Sequence, residues 1–190
     1  MTNPGDPSQR LFFALWPCPQ ARQALELAVA QAVQDSGGRP VPAEKWHVTL
    51  AFLGSVPEGR VGELRRIGRE CAAAFAHSAP VSLTFAQLEH WARPQILAAL
   101  TTGESPAVHA LAQALKDASV AGRFSPDLKP FRAHVTVARK IARPPPLQLL
   151  RLVTWQLEAF ALIDSRSETA GPVYSVVETY PLVKTQKVRE

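Results

Sequence analysis

One seven-residue pattern occurs twice in this chain and limits its fold more than any other feature: W-H-V-T-L-A-F at 46–52 and A-H-V-T-V-A-R at 133–139, with the two histidines 87 positions apart. Both copies are aliphatic and free of glycine and proline, as a strand segment is. Alternate side chains of a strand share a face, so His47 and Thr49 point one way and Val48 and Leu50 the other. His134 and Thr136 likewise oppose Val135 and Val137. In each copy the apolar face must be buried, which leaves the imidazole and hydroxyl facing a cleft or solvent. A chain carrying this element twice is expected to fold into two similar halves that face each other.

The segments between the copies fit that scheme. Residues 11–15, LFFAL, read as a short buried strand ended by Trp16-Pro17. Leu25, Ala28, Val29, Ala32 and Val33 recur at helical spacing between Gln20 and about Gln34, with Gly37-Gly38 as the stop. A strand over 47–53 follows, then a helix from Pro57 to Phe75 whose apolar face carries Val61, Leu64, Ile67, Cys71 and Phe75. Strands are predicted at 81–86, 96–100, 134–138, 155–163 and 173–180, with a helix from the Ser105-Pro106 cap pair to Ala118 and a break at Pro144-Pro145-Pro146. Strands interleaved with single helices predict an α+β or α/β fold. At 190 residues and 46% hydrophobic content the chain can bury a real core, and the halves are expected to share an interface rather than stand as separate domains.

The paired motifs suit phosphoester chemistry. Histidine titrates near neutrality and can give or take a proton at a reacting oxygen, so two of them can divide the roles of acid and base. A threonine hydroxyl two residues along can hold a non-bridging phosphate oxygen, with no metal needed. A single His-x-Thr would be weak as a signal; two copies in the same apolar strand setting are far more specific. Zinc is the other common use of paired histidines, but no third ligand stands at a telling spacing. A net charge of +5 suits an anionic partner without identifying one.

Several stretches are shared with a known family: RLFFALWP at 10–17, GRPVPAEKWHVTLAFLGSV at 38–56, KPFRAHVTVAR at 129–139 and SRSETAGPVYSVVETYPL at 165–182. Through them the chain resembles the two-histidine (2H) phosphoesterases, specifically the RNA 2′,3′-cyclic phosphodiesterases also described as 2′-5′ RNA ligases. The resemblance implies a bilobal α+β fold with pseudo-twofold symmetry. Two similar lobes, each with an antiparallel sheet, would face a central cleft with helices outside, and each would carry one motif, at 47–50 and 134–137. It implies hydrolysis of RNA 2′,3′-cyclic phosphodiester ends, tRNA halves among the possible substrates, to 2′-phosphomonoesters without metal or cofactor. His47 would be the proton donor and His134 the proton acceptor, although the residues alone would allow the reverse. Thr49 and Thr136 correspond to phosphate-binding hydroxyls and Arg139 to the second-motif arginine. Phe13 falls where the family carries an aromatic that could stack on a base, and it could equally be a core residue. Five positions beyond His134, Arg139 has the wrong parity for the site unless a bulge or strand end brings it round. Ala133 departs from the proline usual before the second histidine.

The rest of the chain is expected to be less informative. Residues 1–9 read as a flexible N-terminus, 10–184 as a single bilobal domain and 185–190 as a tail. Cys18 and Cys71 are isolated and read as buried structural thiols. His77, His90 and His109 lack a threonine partner and read as structural or surface residues. Arg93 could serve a basic cleft or simply be exposed. Without a secretory leader or an apolar span, a cytoplasmic monomer that avoids membranes is expected. Three other readings stay open: ligation as the working direction, a small cyclic nucleotide as substrate, and an RNA-end binding module without catalysis.

Overall fold

The computed structural model describes residues 7–75, 81–103, 105–143, 148–169 and 171–183. The chain runs β1 (Ser8–Leu15), α1 (Pro19–Asp35), β2 (Arg39–Pro40), β3 (Val48–Pro57), α2 (Val61–Phe75), β4 (Val81–Trp91), β5 (Ile96–Thr101), α3 (Pro106–Ala121), β6 (His134–Arg139), β7 (Gln148–Leu157), β8 (Ala159–Glu168) and β9 (Gly171–Pro181). His77, the proline run at 144–146, residues 1–6 and the tail at 185–190 lie outside the described residues.

The strands form two antiparallel sheets, ordered β3-β1-β8-β9 and β2-β6-β5-β4-β7. The lobes are therefore not consecutive halves of the chain. The closing hairpin β8–β9 returns to pair β8 with β1 along Leu11–Leu15, so one sheet joins β1 and β3 to the two last strands, while the other takes β2 and β4 to β7. The single strand expected at 155–163 is in fact two. Glu158 is a bend between β7 and β8, which belong to different sheets. Ser8 and Gln9, expected in a flexible segment, are held in β1 opposite Pro57 and Val56.

The buried apolar faces of both sheets join one core. It runs from Leu11, Phe13 and Val48 of the first lobe to Phe85, Val135 and Trp155 of the second. Helix α1 lies against β7, where the Trp155 indole Nε1–H donates to the Ala21 carbonyl at 2.8 Å. Helix α1 stops where Gly37 takes φ +59, a backbone that favours glycine. Helix α2 packs on β8 and β9, and the Tyr180 ring of β9 occupies the space a side chain at Gly68 would need. Ser105 is the N-cap residue of α3, but its hydroxyl makes no capping bond. Cys71 is buried, whereas Cys18 is exposed at the N-cap of α1 and not in the core. Among the described residues no helix is long and apolar enough to cross a membrane.

Candidate active site

Each His-x-Thr copy sits at the start of a strand, on the pairing β1–β3 in one lobe and β5–β6 in the other. In the first ladder Phe13 pairs with Ala51 and Ala14 with Thr49, so Leu50 is an extra residue. In the second, Leu97 pairs with Ala138 and Ala98 with Thr136, so Val137 is extra. Leu50 and Val137 occupy the same place in the two copies, three residues after the histidine. A bulge of this kind advances the strand by one residue and reverses its parity. Phe52 thereby joins the face of Thr49, and Arg139 joins the face of Thr136. Regular alternation would have pointed both away.

The two histidines are held in the same manner. His47 Nδ1 lies 2.8 Å from the Lys45 carbonyl and His134 Nδ1 lies 2.8 Å from the Arg132 carbonyl. A carbonyl can only accept, so Nδ1 carries the proton in each ring and Nε2 is left as the reactive nitrogen. The segment before His47 is pinned by the Trp46 indole, whose Nε1–H donates to the Val41 carbonyl at 2.8 Å. Trp16 stacks on the His47 ring with centroids 5.4 Å apart, and Phe12 and Tyr174 flank it at 4.9 and 5.3 Å. His134 packs against Trp91 at 4.5 Å.

These surroundings favour the neutral imidazoles. Burial lowers the His47 pKa to about 4, against the smaller upward effect of its bond to Lys45, with the His134 and Arg139 charges lowering it further. His134 is lowered too, by burial first, with Arg132 and Arg139 adding to the effect. Burial also pushes the Tyr174 phenol up.

His47, Thr49, His134, Thr136 and Arg139 all line one cleft of about 790 Å³. Among the described residues five cations line it, Arg10, Arg39, Lys45, Arg139 and Lys140, and no carboxylate does. Such a wall attracts and holds anions. Among the described residues no group of three or more histidine, cysteine or acidic side chains could hold a metal ion.

Phe13 is not among the cleft residues. It is fully buried and packs on Phe160 and Tyr180, because β1 is covered on both faces and its neighbour Phe12 takes the cleft side. Arg93 is exposed, and its neighbour Pro94 lines the cleft instead. His90 is half-buried and outside the cleft. His109 is half-buried on α3, edge-on to Phe131 with centroids 5.0 Å apart. Phe12, Trp16, Phe52, Trp91 and Tyr174 were not singled out from the sequence, although all but Trp91 fall inside stretches that carry the family resemblance. Arg10, Arg39 and Lys45 also fall inside those stretches and Lys140 just beyond one, but nothing marks them out, since each is an ordinary basic residue until the lobes meet.

Residues 17–169 match the family model described as the 2′-5′ RNA ligase superfamily. An RNA 2′,3′-cyclic phosphodiesterase of Thermus thermophilus is 31% identical, the match covering 91% of this chain and 90% of that protein. Another, of Geobacillus stearothermophilus, is 30% identical over 90% of this chain and 57% of that protein. The crystal structure of E. coli LigT complexed with 3′-AMP superposes with a TM-score of 0.81 at 22% identity, covering 92% of this chain and 98% of that one; at that identity the likeness speaks for the fold.

Proposed function

Because the chain belongs to the 2′-5′ RNA ligase superfamily, we propose that it hydrolyses RNA 2′,3′-cyclic phosphate ends to 2′-phosphomonoesters by general acid–base catalysis. The observation that carries this reading is the matched pair of histidines. Each is anchored through Nδ1 to a carbonyl two residues back and stands beside a threonine, in a cleft lined by cations and, among the described residues, by no carboxylate.

The phosphate sits between the two Nε2 atoms, its non-bridging oxygens held by the Thr49 and Thr136 hydroxyls and by the Arg139 guanidinium. His134 takes a proton from water, whose oxygen attacks phosphorus. The bond from phosphorus to the 3′-oxygen breaks, and His47 delivers a proton to that oxygen, leaving the phosphate on the 2′-oxygen. Neutral His134 is ready to act as a base at pH 7. His47 must first acquire its proton against burial, and the phosphodiester anion, lying beside it, favours the imidazolium. The five cleft cations hold the anion there, and burial in turn makes His47 a stronger acid once charged.

Both motifs belong to one chain and one cleft, which supports a monomer and a single bilobal domain over 10–184. Two unpaired cysteines suit the reducing cytoplasm. RNA ends, tRNA halves included, are the substrate class. The test is hydrolysis in EDTA of a short RNA ending in a 2′,3′-cyclic phosphate, with the product's phosphate position identified. A 2′-phosphate is expected, lost by about 100-fold or more in His47→Ala and in His134→Ala and by less in Thr49→Ala or Thr136→Ala. Strict dependence on added zinc, or unchanged turnover in either histidine variant, would overturn the reading.

A further inference from the structure

Next to the catalytic cleft lies a second groove of about 810 Å³. The two are continuous, because Arg10, Phe52, Ser165 and Ser167 line both. Beyond this shared border the groove is walled by the start of β1 (Ser8, Gln9), the end of β3 (Gly54, Ser55) and the outer part of β8 (Asp164, Arg166). We propose that this groove is a subsite for the RNA strand leading up to the cyclic end, holding the nucleotides upstream of the one being hydrolysed. The inference rests on the cyclic phosphodiesterase reading and adds the path of the rest of the substrate.

Three observations carry it. A cyclic phosphate closes the 2′- and 3′-oxygens of a terminal nucleotide, so the remaining strand can leave only through its 5′-oxygen and needs one exit. The groove opens directly from the cleft and supplies one. At the border the Arg10 guanidinium stands over the Phe52 ring, 5.0 Å from its centroid. An aromatic face joined to a cation, in a basic cleft, is what single-stranded RNA binding uses: stacking for the base and charge for the phosphate. Past that border the Ser8 hydroxyl, which accepts from Ser55 Oγ at 2.9 Å and keeps its own proton, the Gln9 amide and Arg166 can donate to phosphate or ribose oxygens.

Two carboxylates, Asp164 and Glu58, also line the groove and balance Arg10 and Arg166. Asp164 is buried and accepts from Arg166 Nε at 2.9 Å, which leaves the rest of that guanidinium for a ligand. Leu53 is a further extra residue in this ladder, so Phe52 to Ser55 faces only Phe12 to Arg10 and spans two steps, roughly 7 Å at about 3.3 Å per strand residue. That is room for about two nucleotides at the 3.4 Å spacing of stacked bases. The place of Phe52 also breaks the symmetry of the lobes. The matching position after the second bulge is Arg139, so one side of the cleft offers a stacking face and the other a charge.

The experiment compares kcat/KM for substrates of one to four nucleotides ending in a 2′,3′-cyclic phosphate, in the wild-type protein and in Ser55→Asp and Gln9→Glu. Both variants place a carboxylate in the second groove only. The wild type is expected to gain about 5- to 100-fold from one nucleotide to three, the range one stacked base supplies. The gain should shrink as salt rises. In the variants the mononucleotide should be turned over at the wild-type rate while the length advantage falls several-fold. Mononucleotide turnover with no length advantage, or an advantage that both variants keep, overturns the inference and leaves the catalytic reading intact. If no cyclic substrate is turned over, that reading fails, and anisotropy of labelled single-stranded RNA against both variants then decides the groove: equal binding to all three proteins overturns it.

Discussion

Part of this protein's stability depends on keeping His47 neutral, and that part can be measured. Its imidazole is enclosed by Trp16, Phe12 and Tyr174, and its pKa is lowered to about 4, whereas in the unfolded chain it has the ordinary value near 6.5. Because the folded value is the lower one, the unfolded state binds the proton more tightly. The folded state is therefore favoured in full above pH 6.5, loses stability as the pH falls from about 6.5 to about 4, and loses no more below that. Two-state linkage with these values gives a loss of about 2.5 kcal/mol at pH 4.5 from this one residue, out of a total of roughly 5–15 kcal/mol for a domain. His134 is lowered as well and works in the same direction, while carboxylates such as Asp127 add an acid dependence of their own. The clean measurement is therefore a difference: urea unfolding of wild type and His47→Gln at pH 7.5 and pH 4.5. The variant should lose about 2.5 kcal/mol less than wild type over that interval. A bound phosphate anion should raise the His47 value, visible as a shifted titration of its ring proton by NMR. Equal losses in both proteins, or a His47 that titrates between pH 6 and 7 in the free protein, would refute the idea that its aromatic enclosure holds it neutral.

Two further predictions follow from the packing. Replacing Arg139 with Ala should lower kcat/KM by about 10- to 100-fold, the worth of a charge-assisted bond to phosphate, with partial recovery in Arg139→Lys. Because the Arg139 charge depresses both histidines, the same Ala variant should raise both ring pKa values, which an arginine with only a surface role would not do. Gly68→Ala puts a Cβ into the Tyr180 ring. Crowding costs about 1–3 kcal/mol and outweighs the roughly 1 kcal/mol gained in helix propensity, so Tm should fall by a few degrees with activity per folded molecule unchanged; a higher Tm would show that the ring moves aside.

How far this site could be read in the sequence was decided by which residues obey a local rule. The strands and helices carry their own periodicity, and both H-V-T segments do begin strands. For Phe13 the sequence left base-stacking and core equally open because Leu11 to Leu15 are all buried; a strand covered on both faces has no alternation from which to tell which phenylalanine meets the cleft. The missed turn at Glu158 has a similar origin: apolar residues continue on both sides of it, while the chain changes sheets. The cleft cations come from distant segments and have no meaning until the lobes close.

The deeper reason lies in the two bulges. Read by strand parity alone, Arg139 and Phe52 point into the core and the motifs end at their threonines. A bulge is a property of a pair of strands, and the partners here are β5 for Val137 and β1 for Leu50, both far away in sequence. The two extra residues are themselves apolar and buried, Val137 fully and Leu50 nearly so, which is how each strand absorbs an added residue without exposing its apolar face. Each bulge extends the reach of a His-x-Thr pair by one residue, and the residues it brings in differ between lobes, a cation in one and an aromatic ring in the other. A cyclic nucleotide end is unsymmetrical in the same sense, with a charged phosphate on one side and a flat base on the other. Two lobes with like frameworks can therefore receive an unsymmetrical substrate because the bulges present unlike side chains.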